Sequence, residues 1–209
     1  LISGNILAGK DEVSPEAALQ RLMSGNKRFV ESKAINPNQS AKRRTEVANE
    51  QRPFAIIVTC SDSRVAPEVL FDLGLGDIFV IRVAGNITDD NALGSIEFAA
   101  ERLGSNLVVV MGHSKCAAVI AAVQEGEIPG CFKSITDAIK PAVDMAKSQS
   151  GDIIENSIKN NAKLVAEKIR ASKPILEELV KPRLSVRERN RERKSAGFFP
   201  QTDKPFPAF

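Results

Sequence analysis

The sequence predicts an α/β fold, a central and mainly parallel β-sheet flanked by helices and preceded by an N-terminal helical arm. Three continuous apolar runs carry this reading, at positions 54–59, 78–83 and 107–111. They are rich in β-branched residues and lack polar alternation, as expected of strands covered on both faces. Segments of helical periodicity separate them, and such alternation implies right-handed crossovers onto a parallel sheet.

The arm comes first. Ser14-Pro15-Glu16 is a helix start, with Ser as cap, Pro preset in φ, and Glu at the positive end of the dipole. Leu19, Leu22, Met23, Phe29 and Val30 follow at helical spacing. A polar link around Asn36-Pro37-Asn38 leads to a basic helical segment at 40–52, ended by Pro53. Between and after the strands, helices are expected at 67–73, at 91–103 with Asp90 as N-cap, and at 115–124. The helical pattern resumes over 134–172, with Ile158, Ala162, Val165 and Ile169 on one face, and a short segment spans 174–180.

The character then changes. Residues 183–194 are dominated by Arg and Glu, with Leu184 and Val186 as almost their only apolar residues, and Phe198, Phe199, Phe206 and Phe209 follow. The expected organisation is an α/β domain over 1–182, including the arm at 1–52, and a divergent basic, Phe-containing tail over 183–209.

The formal charge of +3 is unevenly spread. Residues 181–209 hold eight Lys/Arg against three Asp/Glu, which leaves 21 basic and 23 acidic groups in residues 1–180. A slightly acidic body excludes nucleic acid as the expected partner. No apolar run approaches the roughly 18 residues of a membrane span, so no membrane partner is expected. Three widely spaced cysteines are not a disulfide framework and direct attention to metal binding or catalysis. Reduced thiols give an expectation of a cytoplasmic protein, with a periplasmic location if a leader before Leu1 has been removed.

Two clusters carry the chemistry. Cys60, Asp62 and Arg64 follow the first strand run, and His113 and Cys116 follow the third. In open parallel sheets, ligands bind beyond the carboxyl ends of the strands, where Cys60 and His113 are both expected. Two thiolates and an imidazole suit Zn²⁺, and three protein ligands leave a fourth position open, as in catalytic zinc sites. Cys131 is read as a small buried hydrophobe, with closure of the site as a fourth ligand the lesser alternative. Asp62 and Arg64 at alternating positions can share one face, where Arg keeps the carboxylate ionised; an ordinary salt bridge is the competing reading.

Cys60-x-Asp62-x-Arg64, followed by His113-x-x-Cys116, resembles the β-class carbonic anhydrases in their plant-like branch. The resemblance runs from about residue 14 to 180 and includes Gly25-Asn-Lys-Arg-Phe29 and Arg82-Val-Ala-Gly-Asn86. It implies a zinc lyase that reversibly hydrates carbon dioxide to bicarbonate and a proton, by attack of zinc-bound hydroxide. It further implies one Zn²⁺ per chain on Cys60, His113 and Cys116, with Asp62 and Arg64 as the catalytic dyad. Gln51 and Phe79 match pocket positions in a site built at a homodimer interface, and Val83, Gly85, Phe98 and Ala117 complete the implied pocket. The chain departs from the family at Ala117, commonly Gly, and at Phe98, often Tyr. The usual C-terminal edge strand of the sheet is expected to be altered or missing, which would favour a dimer over a higher oligomer. Two other readings of the same residues are a thiol hydrolase using Cys60 and His113, and a zinc-stabilised binding module using the basic tail.

Overall fold

The structure is a computed structural model that describes residues 13–180, 184–191 and 198–200. Its centre is a five-stranded sheet of order β2-β1-β3-β4-β5, from β1 (Ala55–Thr59), β2 (Ile78–Arg82), β3 (Leu107–His113), β4 (Ser185–Arg191) and β5 (Phe198–Pro200). The first four are parallel and β5 runs antiparallel to β4. The expected α/β class with a mainly parallel sheet is therefore the observed one.

Strand pleating explains the continuous apolar runs. Ile57, Val109 and Met111 belong to one core cluster, while Ile56, Val58, Val108 and Val110 belong to the other. The first cluster includes Leu22 of α1 (Pro15–Val30), Leu70 of α3 (Pro67–Leu70), Val119 of α5 (Ala117–Gln124) and Ile139 of α6 (Phe132–Ala146). The second includes Ile96 of α4 (Asp90–Glu101), Ile169 of α7 (Ile153–Ala171) and Leu176 of α8 (Ile175–Val180). Every residue of β1 and β3 is buried. No helix among the described residues is long and apolar enough to cross a membrane.

The C-terminal strand expected to be altered or missing at the sheet edge is present as β4, paired with β3 on one side and β5 on the other. Its charged composition hid it, because the strand is held by backbone pairing in register with Leu107–His113. Leu184 and Val186 supply the buried side chains, and Arg170 of α7 donates to the Val186 carbonyl at 2.7 Å and pairs with Glu188. Residues 185–191 thus lie within the sheet; Phe206 and Phe209 fall outside the described residues.

Smaller differences have local causes. The 40–52 segment is helical only over α2 (Ala41–Glu46), which buries no side chain and so has nothing to extend it. Asp89, not Asp90, caps α4, its Oδ1 accepting from the Ala92 N–H at 2.8 Å. The 134–172 stretch is split into α6 and α7, where Gly151 takes φ 100° and Asp152 caps the second helix. β3 runs on through His113, so the histidine ends the strand instead of following it.

Apolar packing of Leu22 and several hydrogen bonds fasten the arm to the body, and the most buried carboxylate among them is Asp72. Asp72 is fully buried, accepts from the backbone N–H groups of Ile35 and Asn36, and pairs with Arg28 Nε at 2.5 Å. Burial alone would raise the Asp72 carboxyl, but the hydrogen bonds from Arg28, Ile35 and Asn36 outweigh it and hold the group below its usual value. A folded-state value below the unfolded one stabilises the protein above the unfolded value, near 3.9, and that contribution disappears as pH falls. Asp72→Ala is expected to cost about 2–4 kcal/mol in urea unfolding at pH 7, with the difference from wild type shrinking below about pH 4. An equal cost at both pH values would contradict this role.

Candidate metal centre

The parallel register of β1 and β3 pairs Thr59 with Met111, so Cys60 and His113 emerge together at the carboxyl end of the sheet. Thr59 Oγ1 reinforces that register by donating to the Met111 carbonyl at 3.2 Å. After His113 the chain turns through Lys115, at φ 55°, and delivers Cys116 as the N-cap residue of α5. The ligand atoms of Cys60, His113 and Cys116 all lie within 4.8 Å of one another, and all three residues are buried.

The donor set fits zinc. The sulfurs are 4.0 Å apart, against about 3.8 Å for two thiolates at 2.3 Å from a tetrahedral ion. His113 Nδ1 lies 3.0 Å from the Ser114 carbonyl, which makes it the protonated nitrogen and leaves a lone pair on Nε2. His113 Nε2 is buried without a hydrogen-bond partner. An orphaned imidazole lone pair beside two sulfurs is costly in a folded protein unless something occupies it. Cys131 is exposed and stands outside this cluster, contrary to the buried position expected of it.

The thiols already interact. The neighbouring Cys116 thiol lowers the pKa of Cys60, aided by the backbone N–H groups of Asp62 and Gly85, which point at Cys60 Sγ from 3.4 and 3.2 Å. Cys116 is correspondingly raised, by Cys60 first and then by burial. Metal uptake must displace that second proton, so affinity falls as pH drops.

Asp62 faces the cluster, its Oδ2 3.9 Å from His113 Nε2. Arg64 grips both carboxylate oxygens, Nε to Oδ1 at 2.8 Å and Nη2 to Oδ2 at 2.6 Å. Those hydrogen bonds hold the Asp62 carboxyl far below the usual carboxylate range. Arg64 Nη2 also donates to the Lys115 carbonyl at 3.2 Å, tying the dyad to the turn between His113 and Cys116.

Arg82 is a residue that sequence reasoning did not single out for this site. Its Nε donates to the Cys60 carbonyl at 3.0 Å and its Nη2 to the Asp62 carbonyl at 2.6 Å, which fixes the loop carrying ligand and carboxylate. The available signal was a guanidinium ending an otherwise apolar strand.

The expected pocket residues divide into two groups. Gly85 and Ala117 adjoin the ligands, and Val83 follows β2, its N–H donating to the Thr59 carbonyl. Gln51 lies before β1, at the opposite end of the sheet, with the strand's five residues between it and Cys60; those residues alone span about 16 Å. Phe79 pairs with Ile56, also away from the ligand end, and its ring sits 6.4 Å from that of Phe98. Within one chain, Gln51, Phe79 and Phe98 are not part of the cluster.

A sequence model of the carbonic anhydrase family matches residues 55–189, ending inside β4. The carbonic anhydrase of Mycolicibacterium smegmatis is 45% identical over 134 residues, covering 62% of this chain and 65% of that protein. Carbonic anhydrase 2 of Mycobacterium tuberculosis is 44% identical with the same coverage. The match thus spans somewhat under two thirds of these curated relatives. Among solved structures, the Coccomyxa β-carbonic anhydrase in complex with acetazolamide has a TM-score of 0.69 at 22% identity, covering 88% of this chain and 86% of that one. A structure from a study of two tetrameric β-carbonic anhydrases of Sordaria macrospora has a TM-score of 0.66 at 23% identity, covering 82% and 90%. At these identities the structures bear on fold alone.

Cys116→Ser is expected to lower zinc affinity at least about tenfold, measured by competition with a chromophoric chelator. Unchanged affinity would remove Cys116 from the ligand set.

Proposed function

The chain belongs to the carbonic anhydrase family, in its β class, and from that premise we propose that it reversibly hydrates carbon dioxide to bicarbonate and a proton. The observation that carries this is the buried Cys60–His113–Cys116 cluster, with its unpartnered His113 Nε2 and an ionised Asp62 beside it. Zinc bound there supplies a Lewis acid that brings the pKa of water toward neutrality. Carbonic anhydrase is the standard example of that effect, at a three-histidine site.

The side chains have separable tasks. Cys60, His113 and Cys116 would hold the ion, and three protein ligands would leave a fourth place for water or substrate. Asp62, with Oδ2 3.9 Å from His113 Nε2, is ionised and only accepts hydrogen bonds, so it would dictate which way a proton facing it points. Arg64 keeps the carboxylate charged and fixes its plane. Ala117 directly follows Cys116, and we assign it and Val83, two residues before the Gly85 amide at Cys60 Sγ, to an apolar border suited to a small uncharged substrate. The sequence holds one histidine. With His113 as a ligand, no second imidazole carries the proton outward, and external buffer takes that part.

We assign the remote group to assembly. Phe98 is 48% exposed although packed against Phe79, and β2 is an edge strand of the sheet. A second copy docking there brings Gln51, Phe79 and Phe98 toward its neighbour's metal centre, which makes a homodimer the smallest complete unit. Phe98→Glu is expected to give a monomer in sedimentation velocity; an undisturbed dimer would contradict this placement.

Stopped-flow CO₂ hydration tests the activity. The zinc-loaded chain is expected to turn over at a rate that rises with buffer concentration at fixed pH and ionic strength. Asp62→Asn should lower kcat/KM about 10–100-fold. Absence of hydration by the zinc-loaded chain would overturn the proposal.

A further inference from the structure

The backbone amide that points at Cys60 Sγ belongs to Gly85, and that residue is held in an uncommon conformation. Gly85 has φ 68° and ψ 16°, and Asn86 follows at φ 47°, so two consecutive residues occupy the left-handed region. A side chain at Gly85 has no room, since a Cβ there would come within 2.6 Å of Ile139 Cδ1 and 3.2 Å of Ala118 Cβ. Asn86 is not a glycine, and turning over the peptide between Gly85 and Asn86 would return it to ordinary negative φ. The same turn would reverse the Gly85 carbonyl; the Gly85 N–H lies in the preceding peptide plane and would lose the anchored Cα that holds it toward the sulfur. Something must oppose it.

The opposing contact comes from the other side of the fold. Asn161, on α7, is 2% exposed, and its Nδ2 donates to the Gly85 carbonyl at 2.7 Å. Lys168 lies two helical turns further along α7 and donates to the Thr88 carbonyl of the same connector. The Gly85 residue is thus gripped at both ends, its carbonyl by Asn161 and its amide by Cys60 Sγ.

We propose that Asn161 is a positioning residue of the metal centre: by holding the Gly85 carbonyl it keeps the Gly85 N–H aimed at Cys60 Sγ, and so tunes the metal thiolate. Lys168 supports the same connector from the next available position. An N–H donated to a metal-bound thiolate draws charge from sulfur and fixes the direction of its lone pairs, so its loss alters both affinity and metal–sulfur covalency. This rests on the reading of Cys60, His113 and Cys116 as metal ligands.

The test uses the full chain, loaded with zinc for affinity and with cobalt(II) for the sulfur-to-metal charge-transfer absorption. Asn161→Leu keeps the heavy-atom branching and removes the donor. It is expected to lower zinc affinity about 10–100-fold and to shift the cobalt charge-transfer band. Lys168→Met, at an exposed position, is expected to fold and to change both readouts in the same direction by less. Ile169→Val loosens α7 without touching the connector, and should leave both as in wild type. The proposal is overturned if a folded Asn161→Leu matches wild type in affinity and spectrum, or if Ile169→Val reproduces its effects. Should Asn161→Leu not fold, Lys168→Met decides: a weaker site and a shifted band support the proposal, and wild-type values overturn it. A wild-type chain that binds neither metal would instead remove the metal-centre reading, and this inference with it.

Discussion

The parallel pairing of β1 with β3 is the constraint on which the rest of the molecule depends. One register, Thr59 opposite Met111, brings a cysteine and a histidine separated by 53 positions to the same end of the sheet. A shift of one residue would turn every side chain of the strand to the other face and split the ligand pair. The register is over-determined: the alternate residues of both strands are committed to two different cores, and Thr59 Oγ1 adds a hydrogen bond across the strands at the ligand end. Helix α5 then starts where Cys116 is needed, because Lys115 accepts a left-handed turn just before it.

Around that pair, the loops are held through their backbones. Arg82 takes the carbonyls of Cys60 and Asp62, Arg64 takes the carbonyl of Lys115, and Asn161 takes that of Gly85. Each donor comes from a different segment, so the centre is braced from the sheet edge, from the ligand loop and from α7. Irregular backbone near the ligands is tolerated because its polar groups are satisfied in this way. Among the buried side-chain atoms left without a hydrogen bond is His113 Nε2, and it is the atom a metal would take.

Much of this was legible in the sequence, for identifiable reasons. The buried strands declared themselves because both faces are covered, which leaves continuous apolar runs. The ligands declared themselves because thiolates and the single imidazole fall at strand ends with nothing else of their type nearby. β4 was not legible: its side-chain pattern offers Leu184 and Val186, while its stability comes from seven residues of backbone pairing and a guanidinium on α7. Asn161 left no local trace either, since its hydrogen bond joins positions 76 residues apart. The placement of Gln51 and Phe79 away from the ligand end could be read only from strand register, which the sequence does not display.

Cys60, His113 and Cys116 together define one metal position with two sulfurs, one imidazole and a place left open. X-ray absorption at the zinc edge of the loaded protein measures that set directly. The predicted spectrum contains two sulfur scatterers near 2.3 Å and two light scatterers near 2.0 Å, one with the outer-shell signature of imidazole. A four-sulfur shell, or a shell of nitrogen and oxygen alone, would contradict the assignment of Cys60, His113 and Cys116 as the metal centre.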